Sequence, residues 1–91
     1  MSHEARLKEL GIELPAVPKP AGLYAPCVRS GNQLFVSGQV PMKDGAPALV
    51  GKLGAEVTIE QAAPLARQCA LQALAIVRQE VGSLDNITKV I

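Results

Sequence analysis

Aromatic residues are nearly missing from this 91-residue chain: Tyr24 and Phe35 make up 2% of it, and there is no tryptophan. A stacking platform for single-stranded nucleic acid is therefore not expected. Charge of one sign is missing as well, since nine Lys and Arg face eight Asp and Glu for a formal charge of +1. A phosphate backbone is usually gripped by clustered Lys and Arg, so nucleic acid is not an expected partner. Histidine occurs once, as His3 in the N-terminal segment. A Ser-His-Asp or Cys-His arrangement thus has no base in a scaffold position. One His and two scattered Cys cannot build a zinc site, which needs three or four convergent ligands. The eight glycines form neither a phosphate loop nor a dinucleotide fingerprint.

Long hydrophobic runs are also missing. The longest uncharged apolar stretch lies around 69–77, and Gln72 interrupts it. A membrane span needs about 20 apolar residues. The first ten residues carry both signs of charge and no apolar signal core, so a cytoplasmic location is expected. In such a reducing compartment Cys27 and Cys69 read as free, buried thiols that behave as small hydrophobes.

What is present is globular: 48% hydrophobic and 19% charged residues, in a length that suits one small domain. Ser2 is a plausible N-cap, Leu7 and Leu10 share a helical face, and Gly11 offers a left-handed stop. Residues 12–22 follow with three prolines, Pro15, Pro18 and Pro20, and should lie extended along the body. Residues 1–22 are thus a helix and a proline-rich lead, and 23–91 form the core. Residues 23–29 and 33–40 read as strands joined by a Ser30-Gly31-Asn32 hairpin turn. In the second strand Leu34, Val36, Gly38 and Val40 alternate with Phe35, Ser37 and Gln39, so one face is apolar and the other partly polar. Lys43-Asp44-Gly45 turns the chain, and 48–53 suits a short edge strand.

The longest element opens with Thr58-Ile59-Glu60-Gln61, a capping box. Winding the residues that follow at helical pitch gathers Ile59, Ala62, Ala63, Leu65, Ala66, Cys69, Ala70, Ala73, Leu74, Ile76, Val77 and Val81 on one arc. Gln68, Gln72 and Arg78 fall among the polar residues opposite. The alanine-rich middle suits close approach to a sheet. Pro64 removes a helical hydrogen bond at about 3 kcal/mol, so either a kink is expected there or a helix that becomes regular only from Pro64 onward. Gly82 supplies the stop. Ser83-Leu84-Asp85-Asn86 is a turn, and 87–91 begin a further strand. About three strands under one helix bury little surface, and a domain of this size is marginal alone. Oligomerisation or further sequence must supply the remaining burial.

The residues left for chemistry are Tyr24 and Ser37-Gly38-Gln39. Glycine inside a strand often marks a place where something approaches the backbone. A serine hydroxyl beside that N–H could hold a carboxylate or carbonyl oxygen. The alternative is that Gly38 makes room for the alanine-rich helix while Ser37 faces water. Tyr24 could equally be a half-buried strand aromatic, and Arg29, beside the hairpin turn, a solvated side chain.

Two runs narrow the choice. Ala21-Gly22-Leu23-Tyr24-Ala25-Pro26-Cys27-Val28, followed by Gly31-Asn32-Gln33-Leu34-Phe35-Val36-Ser37-Gly38-Gln39-Val40-Pro41, resembles the YjgF/RidA family of reactive intermediate deaminases, long called endoribonuclease L-PSP. The capped helix ending at Gly82 and the 87–91 segment agree in order and spacing. The N-terminal helix and proline-rich lead resemble the branch with a longer N-terminus.

The resemblance implies an α+β, chorismate-mutase-like fold, here cut to an N-terminal helix, a β-hairpin, a long helix and the start of a further strand. It implies a homotrimer with pockets between subunits. It also implies hydrolysis of 2-imino or enamine acids to 2-keto acids and ammonia, with no cofactor. By position Tyr24 and Ser37 match the family's pocket tyrosine and serine, and Gly38 the residue whose N–H binds a substrate oxygen. The family's carboxylate-binding arginine and water-positioning glutamate belong to a second half with no counterpart in these 91 residues. Without them neither a bidentate carboxylate clamp nor an activated water is expected, so the chain alone should be inactive. The alternative is a non-catalytic, oligomeric module that binds a small acid or a partner protein. RNA cleavage is opposed by the near-neutral charge and the lack of a histidine pair.

Overall fold

The computed structural model describes residues 2–17, 25–43 and 46–91. In chain order these form helix α1 (His3–Glu9), strands β1 (Cys27–Ser30), β2 (Gln33–Val36), β3 (Met42–Lys43) and β4 (Ala46–Pro47), helix α2 (Ile59–Val81) and a 3₁₀ turn (Leu84–Asn86). This is the expected α+β order. The start of the first expected strand, including Tyr24, lies outside the described residues, as do 18–22 and part of the Lys43-Asp44-Gly45 turn.

β1 and β2 form an antiparallel hairpin in the register Ser30↔Gln33 to Cys27↔Val36. The turn has two residues, and Gly31 adopts a φ of 59°, the left-handed conformation that such tight hairpin turns demand. Leu34 and Val36 are half-buried while Phe35 remains 59% exposed, so the expected alternation holds along β2. The ladder ends four residues earlier than the pattern suggested. Ser37 still donates its N–H to the Pro26 carbonyl at 2.9 Å, but Pro26 has no N–H to return the bond. The expected 48–53 edge strand is replaced by the two-residue β3–β4 ladder and an isolated parallel bridge between Leu53 and Val57. Pro47 again withholds a donor.

The capping box of α2 forms on both sides. Thr58 Oγ1 accepts from the Gln61 N–H at 3.1 Å, and Gln61 Oε1 accepts from the Thr58 N–H at 2.9 Å. The helix runs continuously through Pro64 and ends at Gly82, whose φ is 86°. Its buried face differs from the expected one. Gln72, Ala75 and Ile76 are buried and Gln68 and Arg78 half-buried, whereas Ala63, Ala66 and Ala70 are exposed and Ile59 is 70% exposed. The physical reason lies in residues 39–42. Having left the β1 ladder, their peptide groups still need partners, and glutamine amides from α2 supply them.

Residues 87–91 pair with no strand among the described residues, and Ile91 is 99% exposed. Both cysteines are free but half-buried rather than buried. The buried apolar set among the described residues is small: Val57, Ala75, Ile76 and Leu84.

Polar contacts reinforce this thin core. Ser2 caps α1 by accepting from the Ala5 N–H, and Gly11 ends it at a φ of 69°. Glu4 then ties α1 to the far end of α2. Its Oε1 lies 3.0 Å from Arg78 Nη2, and its Oε2 accepts from the Leu84 N–H at 2.8 Å. The Glu4 N–H in turn donates to Asp85 Oδ1 at 2.9 Å. Replacing Glu4 by Ala strands the N–H of Leu84, a residue only 4% exposed. The expected loss is about 1–3 kcal/mol, read from urea unfolding together with faster amide exchange at Leu84. An unchanged midpoint and unchanged exchange would remove Glu4 from the supports of the fold.

Candidate functional site

Ser37 and Gly38 follow β2 directly, where the hairpin has just lost its partner strand. Ser37 is anchored twice. Its N–H bonds the Pro26 carbonyl, and its Oγ donates to the Ala25 carbonyl at 2.7 Å. With its proton committed there, the hydroxyl presents lone pairs, so towards a ligand it acts as an acceptor. That departs from the sequence expectation, in which the hydroxyl itself held a carboxylate or carbonyl oxygen.

Gly38 is exposed, and a Cβ built on it would meet nothing within 4 Å. Its φ lies outside the left-handed region. The idea that Gly38 makes room for the helix is therefore corrected: neither packing nor backbone conformation requires glycine at this position. Gln39 completes the group. Its Nε2 donates to the Ser37 carbonyl at 3.0 Å, and that carbonyl shares a peptide plane with the Gly38 N–H.

The structure brings Ser37, Gly38 and Gln39 together with two residues of α2 that the sequence did not single out. Gln72 is 2% exposed and bonds Gln39 and the backbone of Val40 and Met42. Gln68 bonds the Met42 carbonyl and Gln72 Oε1. On the helical wheel Gln72 falls just outside the apolar arc, next to Leu65 on one side and Gln61 and Gln68 on the other, so its position in the sequence does not mark it as buried. Arg29 is exposed and its Nε lies 3.4 Å from the Gly31 carbonyl, so it closes on its own turn. His3 lies elsewhere, with Nε2 2.9 Å from the Ile87 carbonyl. Tyr24 is outside the described residues.

Cys27 is on β1 opposite Val36. Partial burial, and secondarily the charge of Glu80, push its thiol above the usual cysteine value. The folded state therefore holds this proton to higher pH than the unfolded chain does. Its contribution to stability falls as pH rises through the thiol range. Near pH 8, iodoacetamide should modify Cys27 more slowly in the folded protein than in the urea-unfolded chain, as followed by peptide mass mapping. Equal rates would contradict the raised value.

A second test separates packing from function at Gly38. Gly38→Ala should leave stability unchanged or raise it by about 0.4–1 kcal/mol, because alanine restricts the unfolded chain and meets no neighbour. A clear drop in the urea midpoint would return Gly38 to a packing role.

The chain is similar in sequence and fold to known proteins. Residues 4–91 match the family model described as "YjgF/chorismate mutase-like, putative endoribonuclease". Protein TCP17 of Trypanosoma cruzi is 42% identical over 87 residues, covering 96% of this chain and 54% of that protein. Among solved structures, a "putative endoribonuclease" of Shewanella oneidensis MR-1 superposes with a TM-score of 0.82 at 37% identity, covering 92% of this chain and 56% of that one. Protein Atu1372 of Agrobacterium tumefaciens, of unknown function, gives a TM-score of 0.80 at 44% identity, with 97% and 54% covered. The chain spans about half the length of these relatives. With nearly all of its own length matched in both sequence and fold, the chain belongs to the YjgF/chorismate-mutase-like family.

Proposed function

We propose that Ser37 and Gly38 form one wall of a site that hydrolyses small 2-imino or enamine acids to 2-keto acids and ammonia. The remaining walls lie outside these 91 residues. One observation carries this reading: Gly38 is an exposed glycine that neither its backbone angle nor any neighbour requires. A residue without a side chain lets a ligand oxygen reach the backbone N–H. Ser37, with its proton held by Ala25, offers an acceptor to the substrate nitrogen or to a water. In the reaction, water adds to the C=N carbon and ammonia leaves, giving the keto acid. Among the described residues, the one histidine, His3, bonds the Ile87 carbonyl rather than Ser37 or Gly38. Water activation and the carboxylate clamp are assigned to residues beyond the chain.

Tyr24 belongs to the same wall in this proposal, and the complete site forms between subunits of a homotrimer. The exposed apolar side chains Val28, Phe35 and Ile59 favour assembly. They also favour a second reading, in which the chain works as a non-catalytic oligomeric module that binds a small acid.

Hydrolysis of 2-iminobutyrate by the 91-residue chain should not exceed the rate in buffer, and clear turnover would overturn the need for further residues. Titration of the ¹⁵N-labelled chain with 2-oxobutyrate, the stable keto acid, should move the Gly38 amide resonance. Gly38→Ala should weaken that binding at least tenfold. A titration that leaves residues 37–39 unmoved would remove this wall from the site.

A further inference from the structure

We propose that Gln72, acting through Gln39, is a positioning residue that fixes the direction of the Gly38 N–H. The inference rests on the reading of Ser37–Gly38 as a ligand-binding wall. It adds a device that neither the motif nor the family match assigns.

The chain of bonds starts from backbone groups whose roles admit no choice. The Met42 N–H can only donate, and it lies 3.0 Å from Gln72 Oε1. The Val40 carbonyl can only accept, and it lies 2.8 Å from Gln72 Nε2. Together they fix which end of the Gln72 amide is which. A carbonyl at one residue and an N–H two residues on point to the same side of an extended segment. The Gln72 amide therefore pairs with residues 40–42 as a neighbouring strand would.

The second hydrogen on Gln72 Nε2 points at Gln39 Oε1, 3.3 Å away. Gln39 must then present its nitrogen on the other side, and Nε2 lies 3.0 Å from the Ser37 carbonyl. That carbonyl and the Gly38 N–H belong to one trans peptide plane and point in opposite directions. Holding the carbonyl on the Gln39 side turns the N–H away from Gln39. Gln68, donating to both the Met42 carbonyl and Gln72 Oε1, occupies the second lone pair of Gln72. Every hydrogen-bonding position of the Gln72 amide is thereby used. Cys69 adds a weak S–H contact to the Gln39 carbonyl at 3.6 Å.

A purely structural role would end at the bonds to Val40 and Met42, which fasten the helix to the chain. The positioning role needs the further link through Gln39, so the two can be separated. Gln39→Met cuts the link and leaves the Gln72 bonds to Val40 and Met42 in place. Gln72→Met removes both. The measurement is the orientation of the Gly38 N–H, from residual dipolar couplings of the ligand-free ¹⁵N-labelled 91-residue chain, followed by titration with 2-oxobutyrate.

Gln39→Met should keep the wild-type urea midpoint and the wild-type couplings in the helix. It should change the coupling of Gly38 and weaken 2-oxobutyrate binding about tenfold, the equivalent of roughly 1.4 kcal/mol. Gln72→Met should show the same change at Gly38 together with a lower midpoint. If Gln72→Met does not fold, Gln39→Met alone decides. A Gly38 coupling unchanged in Gln39→Met would overturn the inference, whatever the binding data show. A wild-type chain that ignores 2-oxobutyrate while Gly38 reorients in the variant would instead overturn the proposed function and leave the positioning role standing.

Discussion

The amide of Gln72 joins the two parts of this structure: the long helix on one side and the chain that has just left the hairpin on the other. Residues 39–42 have no neighbouring strand on that side, and an unsatisfied buried peptide group costs about 1–3 kcal/mol. Gln72 offers one donor group and one acceptor in the spacing of a β-ladder, at 2.8 and 3.0 Å. Were that amide absent, the hydrogen bonds left between this segment and the helix would be those of Gln68 to the Met42 carbonyl and Cys69 to the Gln39 carbonyl. The orientation of α2 follows from the same bond, because burying Gln72 turns the alanine-rich stripe towards solvent.

The rest of the fold compensates for a small core. Four apolar residues are buried among those described, too few to hold two helices and a hairpin by themselves. Directional contacts take up part of the task. Glu4 bridges α1, Arg78 and the 3₁₀ turn, Thr58 and Gln61 close the start of α2, and Gly82 closes its end. The capping contacts contribute about a kilocalorie per mole each. Apolar surface remains exposed on Val28, Phe35, Ile59 and Ile91.

Rigidity and openness meet at the candidate site. The peptide groups on either side of Ser37 are tied to Pro26 and to Gln39, yet Gly38 itself faces space on its Cα. A backbone donor held in place before a ligand arrives loses little freedom on binding, which makes a small anion easier to hold. Among the described residues, no hydrogen bond joins a histidine or carboxylate side chain to Ser37, Gly38 or Gln39.

Local signals settled much of this. Thr58 and Gln61 foretold the capping box, Gly11, Gly31 and Gly82 the left-handed turns, and Leu34 and Val36 the inner face of β2, because each depends on residues adjacent along the chain. The Phe35-Val36-Ser37-Gly38-Gln39 run was enough to place the family. Strand lengths were not legible, since Pro26 and Pro47 end ladders only through the residues opposite them. Nor was the buried face of α2. Hydropathy alone puts Gln72 with Gln68 on the wet side, and only tertiary structure reveals the peptide groups of Val40 and Met42 waiting for an amide. Sequence by itself determined which elements form and where they stop, because those choices are made within a few residues by backbone angles and caps. Which side of the helix is buried, and which way the Gly38 N–H points, was decided by hydrogen bonds between groups about thirty residues apart.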